Sequence, residues 1–251
     1  MKSYLAWLLS LLLLSANIAF AQVPTIAVAA NMKDAFLEII TAFKPNGKTG
    51  IRVVYGSSGN FTTQILNGAP FNLLIAADEH FPLELYRHGK ALDEGVVYAI
   101  GKLVIIAKKS SGIQLLDNKA EISTAIQGAN KISIAKPELA PYGKAAVEYL
   151  RAEGLWDIAK NKLVYADNIG VATTYVVSGA ADIGFTALSL AQSPEVAKET
   201  NSLLLNAKLY ESIKQRMVLI KGAPQEVVDL YRFIQTPQAK TILQKYGYTT
   251  P

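Results

Sequence analysis

The chain contains no cysteine. Disulfides are therefore excluded, as is the lipid tether that an N-terminal cysteine would carry, and an exported chain of this kind must be held by its core. Histidine is nearly absent too. The two present, His80 and His88, fall in or beside one predicted helix with no serine or cysteine partner, which reads as solvated or capping residues rather than a general base. No HExxH, EF-hand or Walker spacing occurs, and the scattered carboxylates form no metal-ligand pattern. The net charge of +5 is spread along the chain with no basic block and no interleaved aromatic stripe, which excludes nucleic acid as a partner. Beyond residue 21 no apolar run is long enough for a membrane span of about 20 residues.

What the chain does have begins with an address. Lys2, an apolar core over Ala6–Leu14 and Ala19-Phe20-Ala21 follow the order of a secretory signal peptide, with removal expected after Ala21. Residues 1–21 are thus set aside, and the absence of cysteine points to a Gram-negative periplasm. About 230 residues remain, enough for a large core in one domain or two lobes.

The stretch Val54-Tyr55-Gly56-Ser57-Ser58-Gly59-Asn60-Phe61 organises the rest. A β-branched run (Ile51, Val53, Val54) gives way to small polar residues and then to helical spacing at Phe61, Ile65 and Leu66, so a strand is predicted to feed a helix N-terminus. There the first N–H groups lack intrahelical partners and the dipole presents roughly +0.5 of a charge. Two glycines leave the amides bare and Ser58 adds a hydroxyl, a cradle for an anion; a plain serine cap is the alternative.

The device recurs. Thr25–Ala30 reads as a buried parallel strand running into Asn31, expected as the N-cap of a helix with Ala35, Phe36, Ile39 and Ile40 inward. Leu73–Ala77 is a third strand ending at Asp78, read as a cap. A second unit follows from Leu103, with strand Lys131–Ala135 ending in Pro141-Tyr142-Gly143, strand Leu163–Ala166 ending in Asp167-Asn168-Ile169-Gly170, and strand Ile183–Ala187. Met217–Ile220 reads as a strand returning to the first unit. The pattern predicts an α/β protein of two lobes, each a mostly parallel sheet flanked by helices, with hinge crossings near residues 98–106 and 210–220. Lobe 1 is drawn as 22–100 and 218–251, lobe 2 as 101–217.

Ligands of open α/β sheets bind beyond the carboxyl ends of the strands, where Asn31, Ser58, Tyr142 and Ile169 all stand. Each offers a backbone N–H, and the first three add side-chain donors. Donors without acceptors suit a fully deprotonated tetrahedral oxyanion. An anion carrying its own proton would lose about 1–3 kcal/mol for want of an acceptor. Gly56-Ser57-Ser58-Gly59 does not match Gly-x-Ser-x-Gly, so a hydrolase using Ser58 lacks its signature.

Several segments in order resemble the molybdate-binding proteins of ABC uptake transporters, two-lobed periplasmic binding proteins. They are Ala29-Ala30-Asn31-Met32, Tyr55-Gly56-Ser57-Ser58-Gly59, Gly68–Leu73 with Ala76-Ala77-Asp78, Pro141-Tyr142-Gly143, Ala166–Ile169, Ala181–Phe185 and Pro237–Lys240 with Tyr246-Gly247-Tyr248. The resemblance implies a periplasmic-binding-protein fold without enzymatic activity or resident cofactor. It implies that molybdate or tungstate is gripped by Asn31 and Ser58 from one lobe and by Tyr142 and Ile169 from the other. Molybdenum would be held through its oxygens, with Ile169 acting by its main-chain N–H. In many relatives a serine stands at the position of Asn31 and a tyrosine at that of Ala187; Tyr142 is expected to supply the phenol from another direction. The implied partner is an inner-membrane ABC permease served by a monomer. Sulfate or phosphate as ligand, and a signalling partner in place of a permease, stay open at this point.

Overall fold

The structure is a computed structural model describing residues 23–44 and 50–251. The expected signal peptide and its cleavage site lie outside the described residues.

The elements alternate. β1 (Thr25–Ala29), α1 (Lys33–Phe43), β2 (Arg52–Gly56), α2 (Ser58–Leu66), β3 (Leu73–Ile75), α3 (His80–Arg87) and β4 (Val96–Gly101) come first. Lys102 alone separates β4 from β5 (Leu103–Lys108). Then follow α4 (Lys119–Gly128), β6 (Ile132–Ala135), α5 (Pro141–Ala152), α6 (Trp156–Ala159), β7 (Leu163–Ala166), α7 (Ile169–Ser178), β8 (Ile183–Ala187), α8 (Leu188–Ala191), α9 (Pro194–Glu199) and β9 (Thr200–Leu204). β10 (Ile213–Leu219), α10 (Gln225–Ile234) and α11 (Pro237–Lys245) close the chain.

Two five-stranded sheets result, ordered β2-β1-β3-β10-β4 and β7-β6-β8-β5-β9. In the first, β1 pairs parallel with β2 and β3, and β10 runs antiparallel to both β3 and β4. The second repeats the plan, with β6 parallel to β7 and β8 and β5 antiparallel to β8 and β9. The single opposed strand in each sheet is the one that follows a crossing. β10 pairs with β4 from Ile213 onward, so residues 213–217, grouped with the second lobe in the sequence reading, belong to the first sheet.

Alternation along β1 divides the first core. Ile26 and Val28 pack with Phe36, Ile39, Val227 and Leu243 on one face, while Ala27 joins Phe61, Ile65, Leu74 and Leu85 on the other. A larger cluster covers one face of the second sheet, with Ile105, Ile132, Ile134, Tyr149, Leu150 and Phe185. Each such aliphatic or aromatic side chain contributes about 1.5–3 kcal/mol on full burial, which is how a cysteine-free chain is held.

Helix ends are marked in the sequence by their caps. The Asn168 side chain accepts from Val171 N–H at 3.0 Å to open α7, and Gly179 in the left-handed region ends it. Thr236 caps α11 with Pro237 in its first turn. Asn31 differs from its expected role. It lies in a 3₁₀ turn, Ala30–Met32, that precedes α1, and its side chain makes no cap.

The carboxyl ends of both sheets meet across a narrow gap. Gly59 N–H donates to the Leu139 carbonyl at 2.9 Å, and Ser189 Oγ donates to the Asn31 carbonyl at 2.8 Å. A Cβ on Gly59 would stand 3.0 Å from Leu139 Cα and 2.8 Å from the Phe81 ring, so only glycine allows this approach.

Asp78, at the end of β3, accepts from Phe81 N–H at 3.2 Å, the predicted capping role. Its partly buried carboxyl is pushed up to about 7, chiefly by loss of solvent, with the Phe81 N–H pulling the other way. Because the folded chain holds this proton more tightly than the unfolded one, stability should fall as the pH rises from about 4 through 7. Asp78→Asn keeps the oxygen that accepts from Phe81 and removes the charge. Thermal melts should show the variant more stable than the wild type at pH 8, by on the order of 2 kcal/mol, with the difference vanishing below pH 4.

Candidate functional site

One small pocket between the sheets is lined by Asn31 and Ser58 from the first and by Tyr142 and Ile169 from the second. Ser57 and Ala30 complete much of the wall, and none of the residues lining it is ionisable apart from the Tyr142 phenol. All four predicted residues are brought together, and each is at least 96% buried.

Ser58 is the first residue of α2, after Ser57 in extended conformation. Its Oγ accepts from Ala77 N–H at 2.9 Å, which fixes the rotamer and leaves the hydroxyl hydrogen to be donated elsewhere. Gly56 before it has no room for a side chain, because a Cβ would meet the Phe61 ring at 2.8 Å. Ser57 Oγ is buried without a hydrogen-bond partner in the same wall.

Ile169 opens α7 as its first residue, so its N–H has no partner within the helix. Neither neighbour captures it by side chain: Asn168 is spent on Val171 N–H, and Asp167 pairs with Lys136 at 2.7 Å. Tyr142 follows Pro141, the first residue of α5. Proline has no N–H, so the Tyr142 amide is the first donor that the helix presents.

The Tyr142 phenol is arranged differently from the expectation. Its oxygen accepts from Gln215 Nε2 at 3.0 Å and lies against Gly101, at the crossing between the sheets. A Cβ on Gly101 would collide with that oxygen and with Gln215 Nε2. The main-chain N–H is therefore the group that Tyr142 brings to the helix terminus. Ala187, where the resemblance places a tyrosine in many relatives, is fully buried and precedes α8.

Behind the pocket lies a polar layer that the sequence reading missed. Asn31 Nδ2 donates to Gln215 Oε1 at 3.0 Å and to Tyr248 Oη at 2.8 Å. Tyr98 Oη sits 2.9 Å from both Gln215 Oε1 and the Ala76 carbonyl, and Tyr248 Oη is 2.9 Å from Ser189 Oγ. Burial raises the Tyr98, Tyr142 and Tyr248 phenols well above their ordinary range, so all three are neutral. A signal for Gln215 was available. Ile213, Gln215 and Met217 are the buried positions of an alternating strand, and a glutamine among inward-facing residues demands partners.

Among the described residues no group of three or more His, Cys, Asp or Glu could hold a bare metal ion. The pocket can instead supply neutral donors and helix termini, which is the chemistry for an anion. A charged recess lies alongside, where Lys144 pairs with Glu211 at 2.6 Å, near Asp78 and Glu148.

Residues 24–249 match the family described as bacterial extracellular solute-binding protein. The chain is 36% identical over 230 residues to the molybdate-binding protein ModA of Rhodobacter capsulatus, covering 89% of this chain and 87% of that protein. It is 35% identical over 231 residues to ModA of Azotobacter vinelandii, covering 89% and 88%. The solved structure of the Azotobacter vinelandii periplasmic molybdate-binding protein superposes with a TM-score of 0.81 at 31% identity, covering 91% of this chain and 99% of that one. With the fold, the donor-lined pocket and these similarities in agreement, the chain belongs to the ModA family of bacterial extracellular solute-binding proteins, a family of binders rather than enzymes.

Proposed function

We propose that this protein captures molybdate, and tungstate with it, in the pocket between the two sheets and delivers it as a periplasmic monomer to an inner-membrane ABC permease. The observation that carries this reading is a buried pocket that joins four donor positions from two sheets and has no lysine, arginine, aspartate or glutamate in its wall. Ser58 would donate its hydroxyl, Asn31 its side chain, and Tyr142 and Ile169 their main-chain N–H groups. Export would remove residues 1–21.

Burying a divalent anion without a counter-ion is costly, and charge-assisted hydrogen bonds of about 1.5–3 kcal/mol each must offset the lost hydration. Four such donors with three helix termini around them suit that task. Sulfate presents the same acceptors as molybdate, so discrimination between the two would rest on cavity size. Hydrogen phosphate would be held less well, because its proton would have to be accepted by a hydroxyl such as that of Ser57 instead of adding a charge-assisted contact. Ser58 is a poor nucleophile here, since both histidines engage Glu84 and not its hydroxyl.

Calorimetric titration with molybdate, tungstate, sulfate and phosphate tests the reading. Tight binding of the first two and weaker binding of phosphate is expected, and tight sulfate binding without molybdate heat would overturn the choice of ligand. Ser58→Ala should weaken molybdate binding by roughly tenfold to a hundredfold and, because it also takes the acceptor from the buried Ala77 N–H, lower the stability of the free protein by about 1–3 kcal/mol. Gly59→Val addresses closure in place of contact. A side chain at this position holds Leu139 and Phe81 away, so affinity should drop by at least about tenfold, and small-angle scattering should show a molecule that no longer contracts when molybdate is added.

A further inference from the structure

The polar layer behind the pocket has more to do than fill space. Asn31 is 1% exposed, yet its Oδ1 has no hydrogen-bond partner, and the residue lines a pocket read above as an anion site. A buried acceptor facing an anion is the wrong polarity. Close by, Tyr98 has one hydroxyl hydrogen but two acceptors at 2.9 Å, the Ala76 carbonyl and Gln215 Oε1. One of those contacts must set lone pair against lone pair.

The acceptor on the pocket side and the conflict at Tyr98 are both relieved, and the Tyr142 hydroxyl gains an acceptor, if the terminal amides of Asn31 and Gln215 each turn through half a revolution, which exchanges oxygen with nitrogen and moves no other atom. Gln215 Nε2 then has two hydrogens for two acceptors, Tyr98 Oη and Asn31 Oδ1. Tyr98 gives its hydrogen to the Ala76 carbonyl. Tyr142 gives its own to Gln215 Oε1, and Tyr248 gives its hydrogen to Asn31 Oδ1, which leaves the Tyr248 oxygen against the Asn31 carbonyl 2.9 Å away while Ser189 keeps its bond to that carbonyl. Every donor behind the pocket is matched, and Asn31 Nδ2 takes the place of the unpartnered oxygen on the pocket side. Neither amide can turn alone, because oxygen would face oxygen or nitrogen face nitrogen across the 3.0 Å contact between them.

We infer that Gln215 is the positioning residue that sets the polarity of the binding pocket: anchored by Tyr98 and Tyr142, it holds the Asn31 amide with nitrogen toward the bound oxyanion. This rests on the anion site proposed above and adds the reason why Asn31 presents a donor. Gln215 does not itself line the pocket, and it is fully buried on β10 beside an irregularity in the pairing with β4 that separates it from Arg216. Its partners reach both sheets, since Tyr142 lies in the first turn of α5 and Asn31 follows β1. The same glutamine therefore couples donor orientation to contact between the lobes. Gly101 is required by this arrangement, because any side chain would sever the Gln215–Tyr142 bond.

The test is a double-mutant cycle on molybdate affinity with Asn31→Ala, Gln215→Met and the pair, joined to nitrogen-15 spectra of the side-chain amides. Gln215→Met should weaken binding at least about tenfold, and the double variant should bind within about twofold of Asn31→Ala alone, because Gln215 acts through Asn31. The Asn31 NH₂ resonances should shift on molybdate addition in the wild type and not in Gln215→Met, a signature that loss of packing would not produce. Wild-type affinity in Gln215→Met, or losses that simply multiply in the double variant, would overturn the inference. If Gln215→Met does not fold, Tyr98→Phe takes its place, removing one acceptor from Gln215 Nε2 without touching the pocket. Threefold or greater weakening supports the role of Gln215, and unchanged affinity overturns it. Absence of molybdate heat with the wild type would overturn the anion site itself, and this inference with it.

Discussion

A buried pocket that holds a dianion with no cation depends on one constraint: every polar group turned toward the guest must be a donor. Each of those donors must also be fixed from behind by a partner that leaves its hydrogen free. In water the requirement is trivial, but in a closed pocket an acceptor facing the anion costs as much as a lost hydrogen bond. The architecture meets most of it with backbone. Parallel β-α units bring helix N-termini to one edge of each sheet, and an N-terminus is a set of donors with no acceptor among them. Proline at the start of α5 and the Asn168 cap of α7 settle which amide comes first.

Side chains complete what backbone begins, and here the fixing partners matter more than the donors. Ser58 is pinned by Ala77 N–H, an interaction that consumes a lone pair and not the hydroxyl hydrogen. Asn31 has no such one-sided partner, because an amide carries both polarities and its orientation is decided by what stands behind it. Gln215, Tyr98 and Tyr248 stand there, all buried and all neutral. The charged groups of the cleft stay at its rim, where Lys136–Asp167 and Lys144–Glu211 are largely exposed pairs that contribute little to stability.

Close approach is the second requirement, and it is met by what is missing. Gly59 lets α2 donate across the gap to Leu139, and Gly101 leaves room for the Tyr142–Gln215 bond at the crossing. Asp78 belongs to the same boundary. Its carboxyl is needed as a cap on α3, and the loss of solvent that lifts it to about 7 keeps much of its negative charge away from the neighbouring pocket below neutral pH.

Local pattern was enough for much of this. The β-branched runs, the small residues at their ends and the helical spacings after them specify the β-α units, because hydrophobic periodicity and end-capping act over a few residues and are written in consecutive positions. They specify as well that Asn31, Ser58, Tyr142 and Ile169 fall at strand ends. Three things were decided only in the folded chain. Asn31 leaves its expected capping role, because the 3₁₀ turn after β1 aims it at residues more than 180 positions away in sequence. The Tyr142 phenol turns to the crossing, and Gln215 joins the two sheets from a strand read at first as beginning two residues later. A hydrogen bond between distant side chains depends on angles that no local spacing encodes, so which way a buried amide points is set by tertiary packing alone.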